Sequence, residues 1–210
     1  MIFINGYLHH VVVKPLKLKD KVYKETRAYL EHAETVTGER PNLFRSDGGS
    51  EYGSKEFEAY FKSKGIHHEG MSAYTPQENG VSKHMNCTLM ESACSMLHDA
   101  SLPDMYWGYA ILHAAHILNW LLTCAVNGNT TLYECFTGNK PSVVHLWIFR
   151  CKVHVHIPDE KHHKLDAKSV ECMHIGYTEN WKVYVCLHCA SGCCRSQRLP
   201  TFTEPFSFDF

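Results

Sequence analysis

Over residues 1–125, short apolar runs alternate with apolar stripes at helical spacing. A chain patterned this way must layer helices on a sheet, which makes the fold class α/β. Met1–Asn5 and Val11–Val13 are apolar runs separated by Gly6 to His10, so they read as a hairpin. From Lys19 to Thr37, Val22, Thr26, Tyr29, Leu30 and Ala33 recur at helical intervals, and Gly38 stops the run. Asn42 to Ser46 reads as a strand ending at Asp47. Ser54 can cap a helix to Lys64 that buries Phe57, Tyr60 and Phe61; Gly65 ends it and Ile66 opens another strand. The stretch Tyr74 to Gly80 is a loop broken by Pro76 and Gly80. A third helix runs from Val81 to Asp99 with Val81, Met85, Leu89, Met96 and Leu97 on one stripe, and Pro103 opens a fourth that ends before Asn127.

The pattern then changes. Asn127, Gly128, Gly138 and Pro141 mark residues 126–145 as a linker. Beyond it, Leu146–Phe149, Lys152–Ile157, Cys172–Tyr177 and Trp181–Leu187 are short β-rich runs, which suggest a small β-barrel over residues 146–210.

The formal net charge is -1, so the chain lacks the basic surplus of a dedicated nucleic-acid binder. Met1 to Tyr7 is too short for a signal peptide, and Met105 to Val126 carries His113, His116 and Asn119, which suits a buried helix rather than a membrane span. The expectation is an intracellular chain, nuclear or cytoplasmic, with its ten cysteines reduced. Cys186, His188, Cys189, Cys193 and Cys194 form the densest thiol cluster, but adjacent cysteines rarely ligate one ion, so the spacing disfavours zinc. The adjacent pairs His9-His10, His67-His68 and His162-His163 read as solvated surface. His113 and His116 share a helix face and could ligate, although a polar stripe on a buried helix accounts for them more simply.

Two motifs carry a family resemblance. Arg45 to Tyr52 reads RSDGGSEY, and Tyr74 to Leu89 reads YTPQENGVSKHMNCTL. Together they resemble the core of copia-type retrotransposon integrases, where a strand ends in RSDNGGEY and a loop YTPQQNG leads into a helix carrying the last catalytic Glu. Thirty-five residues intervene between Asp47 and Lys83, as between the second Asp and that Glu in the family. The segments from Phe3, Ser95, Gly138 and His156 are similar to the family's flanking strands, helices and small barrel, in the same order.

The resemblance implies a ribonuclease-H-like core over residues 1–125. It also implies polynucleotidyl transfer, in which two Asp and one Glu hold two Mg²⁺ ions about 3.5–4 Å apart. Asp47 would be a catalytic residue and metal ligand, with Gln77, Asn79, Gly80 and Lys83 near DNA. Homo-oligomers and a DNA partner are implied in the same way. Against the family's pattern, the chain reads as starting inside the second strand, so the first strand and its Asp are expected to be missing. Lys83 stands where the Glu is usual, and an ammonium cannot bind Mg²⁺. The expectation is therefore a degenerate integrase core that binds Mg²⁺ unproductively and DNA weakly. The alternative is a domesticated DNA- or protein-binding scaffold. His84, Cys87 and Cys94 stand where Arg is typical and Arg150 where Gly is usual. Each of these changes, like Lys83 for Glu, is one transition away, as in a silenced copy decaying at methylated sites.

Overall fold

A computed structural model describes residues 1–47, 49–70, 80–123, 130–157, 163, 166–178, 183–188, 194–197 and 201–202. The chain forms two compact units that interleave along the sequence. One comprises Met1–Thr88 with Asn119–Pro141, the other Leu89–Leu118 with Ser142–Phe210.

In the first unit, β1 (Ile2–Ile4) and β2 (Val11–Val13) pair antiparallel, with Phe3 opposite Val12. The expected hairpin is present. Its turn places His9 at φ 55°, and the Asn5 carboxamide oxygen accepts from the Tyr7 and Leu8 amides. After a 3-10 turn at Lys19–Lys21, α1 (Val22–Thr37) buries Val22, Thr26 and Leu30. Gly38 ends the helix in the left-handed conformation at φ 71°, where a side chain would be strained. Next come β3 (Leu43–Ser46), α2 (Lys55–Lys64) and β4 (His67–Gly70). The Ser54 hydroxyl caps α2 by accepting from the Phe57 amide, and Gly65 closes the helix. β3 and β4 run parallel, with Arg45 opposite Glu69. α2 lies between them in sequence, as a parallel crossover requires. Val22, Leu30, Phe57, Tyr60, Phe61 and Ile66 form the core of this unit.

α3 (Gly80–Asp99) and α4 (Trp107–Trp120) each contribute to both units along the chain. The expected stripe on α3 holds only in its second half: Leu89, Ala93 and Leu97 are buried, whereas Val81 is exposed. α4 is shorter than the sequence suggests. It stops at Trp120, and Leu122 instead makes a β-bridge to Thr131. The stretch read as a linker holds a further helix, α5 (Leu132–Thr137), capped by the Thr131 hydroxyl and burying Leu132 and Phe136. Among the described residues, no helix is long and apolar enough to cross a membrane.

The second unit is built on an antiparallel sheet of β5 (Lys152–His156), β6 (Ser169–Tyr177), β7 (Tyr184–His188), β8 (Cys194–Gln197) and β9 (Thr201–Phe202), in the order β8-β7-β6-β5-β9. Val153, Val155, Cys172, Tyr184 and Cys186 form its core. Leu146–Phe149 is not a strand, contrary to its apolar pattern. Arg150 follows it at φ 71°, a left-handed turn that breaks an extended run.

The Asn119 carboxamide accepts from the Val11 amide at 3.0 Å and donates to the Val11 carbonyl at 2.6 Å. Both bonds are buried, so Asn119→Ala leaves two main-chain groups unsatisfied and should cost about 2–4 kcal/mol in urea unfolding. Arg150→Gly removes a side chain from a left-handed position and should stabilise the chain by about 1 kcal/mol in the same assay.

Candidate functional site

The parallel pairing of β3 with β4 sets the geometry of the first candidate site. Carboxyl ends of parallel strands are where α/β folds collect functional groups. Asp47 follows β3 at that end and is exposed. Its carboxylate accepts a long, 3.4 Å bond from the Gly49 amide, the geometry of a turn at a strand end. Beside it in sequence, the Ser46 hydroxyl meets His68 Nε2 at 3.0 Å, and Arg45 pairs with Glu69 across the strands at 2.9 Å. Burial and the neighbouring His67 hold His68 below the usual histidine range. His67 itself is exposed, so the surface reading of this pair holds for one member and fails for the other.

Gly80 is the first residue of α3, and Lys83 lies in its first turn with its side chain exposed. Gln77 and Asn79 lie outside the described residues. The side chains at the expected metal positions are therefore one carboxylate and one ammonium. Two Mg²⁺ ions need several hard oxygen donors, and this pair does not fit them. Among the described residues, no group of three or more His, Cys, Asp or Glu is arranged to hold a metal ion. Cys186 of the thiol cluster is fully buried in the sheet core, and burial beside Cys172 and Cys151 pushes its thiol up to about 12. That keeps it protonated and a poor ligand. Cys189 and Cys193 lie outside the described residues.

A second cluster escaped the sequence reading. His113 and His116 of α4 meet His145, from a 3-10 turn at Val143–His145, and His174 of β6, around the ring of Tyr177. Their i, i+3 spacing was legible as a shared face. Their partners, far along the chain, carried no local signal. His10 was likewise missed as a core residue: it is buried and stacked on Phe136 at 4.2 Å, because it continues into the inward-facing β2. Burial, with a smaller effect from His32, lowers it to about 4.

The chain resembles known proteins along its whole length. Residues 151–210 match the model of the retroviral polymerase SH3-like domain. The retrovirus-related Pol polyprotein from transposon TNT 1-94 of Nicotiana tabacum is 38% identical over 175 residues, covering 83% of this chain. That from transposon RE1 of Arabidopsis thaliana is 30% identical over 210 residues, covering 99% of this chain. The chain spans only 13% and 14% of these relatives' own lengths. Among solved structures, the simian T-cell lymphotropic virus intasome in complex with PP2A regulatory subunit B56 gamma is similar with a TM-score of 0.50. There the identity is 16%, with 97% of this chain and 72% of that chain covered, a likeness of fold alone. With these relatives at this identity, the chain belongs to the retrovirus-related Pol polyproteins of copia-type transposons.

Proposed function

We propose that the chain is an integrase-family region of a copia-type Pol polyprotein that does not catalyse strand transfer as it stands. The observation that carries this reading is the pair Asp47 and Lys83, at the end of β3 and in the first turn of α3. In the resembled family those two positions supply carboxylates to Mg²⁺. Here the second supplies a positive charge, which repels a cation in the space a carboxylate should share with it. Mg²⁺ belongs to this chain by family resemblance only, and its residues do not gather it productively.

The finer architecture belongs to the same proposal. A ribonuclease-H-like core accounts for the β1–β2 hairpin and the parallel β3–β4 pair as two parts of one sheet. The strand that would join them is supplied by none of the described residues. A small barrel over residues 146–210 accounts for the five-stranded sheet and its SH3-like match. The segment 126–145 joins the two.

DNA contact, where it persists, falls to Gln77, Asn79, Gly80 and Lys83 and is weak. His84, Cys87 and Cys94 put few permanent charges on α3, so few counterions would be released from a duplex. Self-association follows from the family in the same way. A second reading, a scaffold that binds DNA or protein without catalysis, is favoured by the intact aromatic core around Phe57 and Phe61.

A duplex-binding and strand-transfer experiment tests the proposal. With Mg²⁺ or Mn²⁺ and a transposon-end duplex, no joined product is expected. Fluorescence anisotropy should show affinity falling with salt, and Lys83→Glu should weaken it and reduce the salt slope by about 1. Joined product from the unaltered chain would contradict the inactive assignment. Affinity indifferent to Lys83→Glu would remove Lys83 from the contact surface.

A further inference from the structure

Four imidazoles packed around one phenol inside the second unit are an unusual use of core space. His116 Nε2 lies 3.2 Å from His145 Nε2. The other nitrogen of His145, Nδ1, donates to the Ser142 carbonyl at 2.8 Å, so neutral His145 offers a lone pair at Nε2 and His116 donates to it. The ring of Tyr177 stacks on His116 at 4.2 Å and on His113 at 5.2 Å. His174 meets Tyr177 edge-on at 4.9 Å, Tyr184 at 5.6 Å and His113 at 5.5 Å. The Tyr177 hydroxyl accepts from the Trp147 amide at 2.8 Å, which fixes the ring at the centre. His113, His145 and His174 are buried, and His113 Nδ1 has no hydrogen-bond partner among the described residues.

We propose that this cluster is an acid-triggered latch: proton uptake by His113, His116, His145 and His174 opens the unit built on α4 and the five-stranded sheet. The arrangement suits neutral imidazoles, which sit largely buried against aromatic rings and one another. The His116–His145 bond needs the lone pair on His145 Nε2, and a proton added there sets two N–H donors against each other, one of them on a cationic ring. Among the described residues, the titratable groups facing the cluster include its own members from α4, the 3-10 turn and β6, with Tyr177 of β6, Tyr184 of β7 and Cys151 before β5. None of these can supply a stabilising negative charge near neutral pH: burial raises Tyr177 and Tyr184 further.

Burial is the first cause lowering each histidine, His113 to about 4 and His116 and His174 to about 3, with mutual repulsion added for the latter two. His145 is lowered by burial, partly offset by its bond to Ser142. A folded value below the unfolded value of about 6.5 means the folded state favours the neutral ring. The stabilisation is complete above pH of about 6.5 and is lost progressively as pH falls toward the folded values. The first unit contains one comparably shifted buried imidazole, His10, so the second unit opens first.

Hydrogen exchange of the whole chain between pH 7 and pH 5, corrected for intrinsic rates, tests the latch. Protection in β6 and β7 should fall by roughly 100-fold or more, and protection in β3 and β4 by much less. His174→Phe should reduce that response, while His84→Ala, on the exposed face of α3, should leave it unchanged. Should His174→Phe fail to fold, carbon-13 imidazole shifts of the unaltered chain decide independently. The His113, His116 and His174 resonances should stay neutral in the folded state down to pH 5. Titration of those rings near 6.5 without loss of structure would overturn the proposal, as would protection in β6 and β7 that does not change with pH.

Discussion

The pair of hydrogen bonds between the Asn119 carboxamide and the Val11 main chain is the contact on which the first unit depends. A buried strand must satisfy its peptide groups, and among the described residues β2 has one strand neighbour. The carboxamide does for one residue what a third strand would do for several. With Val11 held, the register of the hairpin is fixed. Phe3 is then directed into the unit, where it stacks on Tyr29 of α1 at 4.2 Å. His10, the residue before Val11, is brought against Phe136 of α5. Hairpin, α1 and α5 thus lock together around a single side chain from the last turn of α4.

The chemistry of the candidate site turns on charge rather than on packing. The scaffold that carries Asp47 is well formed: β3 and β4 pair in register, Ser54 caps α2, and Phe44, Phe57 and Phe61 pack ring against ring. Asp47 and Lys83 are exposed and contribute little to this core. Lys83 is exposed, so a lysine there costs the fold little; in the function proposed above, its cost falls on the metal site instead. Arg150 shows the opposite case. Its left-handed backbone explains why glycine is usual there in the resembled family, and the arginine strains the fold without touching the site.

What was legible in the sequence had a local cause. The hairpin, α1 with its glycine stop and α2 with its serine cap were readable because each signal lies within a few residues of the element it sets. Helix α5 was not, since burial of Leu132 and Phe136 comes from tertiary packing within a segment rich in turn residues. Leu146–Phe149 looked like a strand because apolar content alone does not reveal the turn at Arg150. At the site, Asp47 could be placed at a strand end by pattern, but the meaning of Lys83 came only through family resemblance. The meeting of His116 with His145 and of His113 with His174 depends on how α4 and β6 pack, and no spacing rule encodes that.

In the function proposed above, this chain keeps an integrase-family fold without a working metal site. Thermal unfolding during titration with Mg²⁺ or Mn²⁺, with Asp47→Asn alongside, tests it most directly, because a ligand that binds the folded state raises the melting temperature by mass action. One cooperative transition is expected, with the same midpoint with and without metal and the same response in Asp47→Asn. A metal-dependent rise that disappears in Asp47→Asn would contradict it, for it would mean that Asp47 gathers a cation in spite of Lys83.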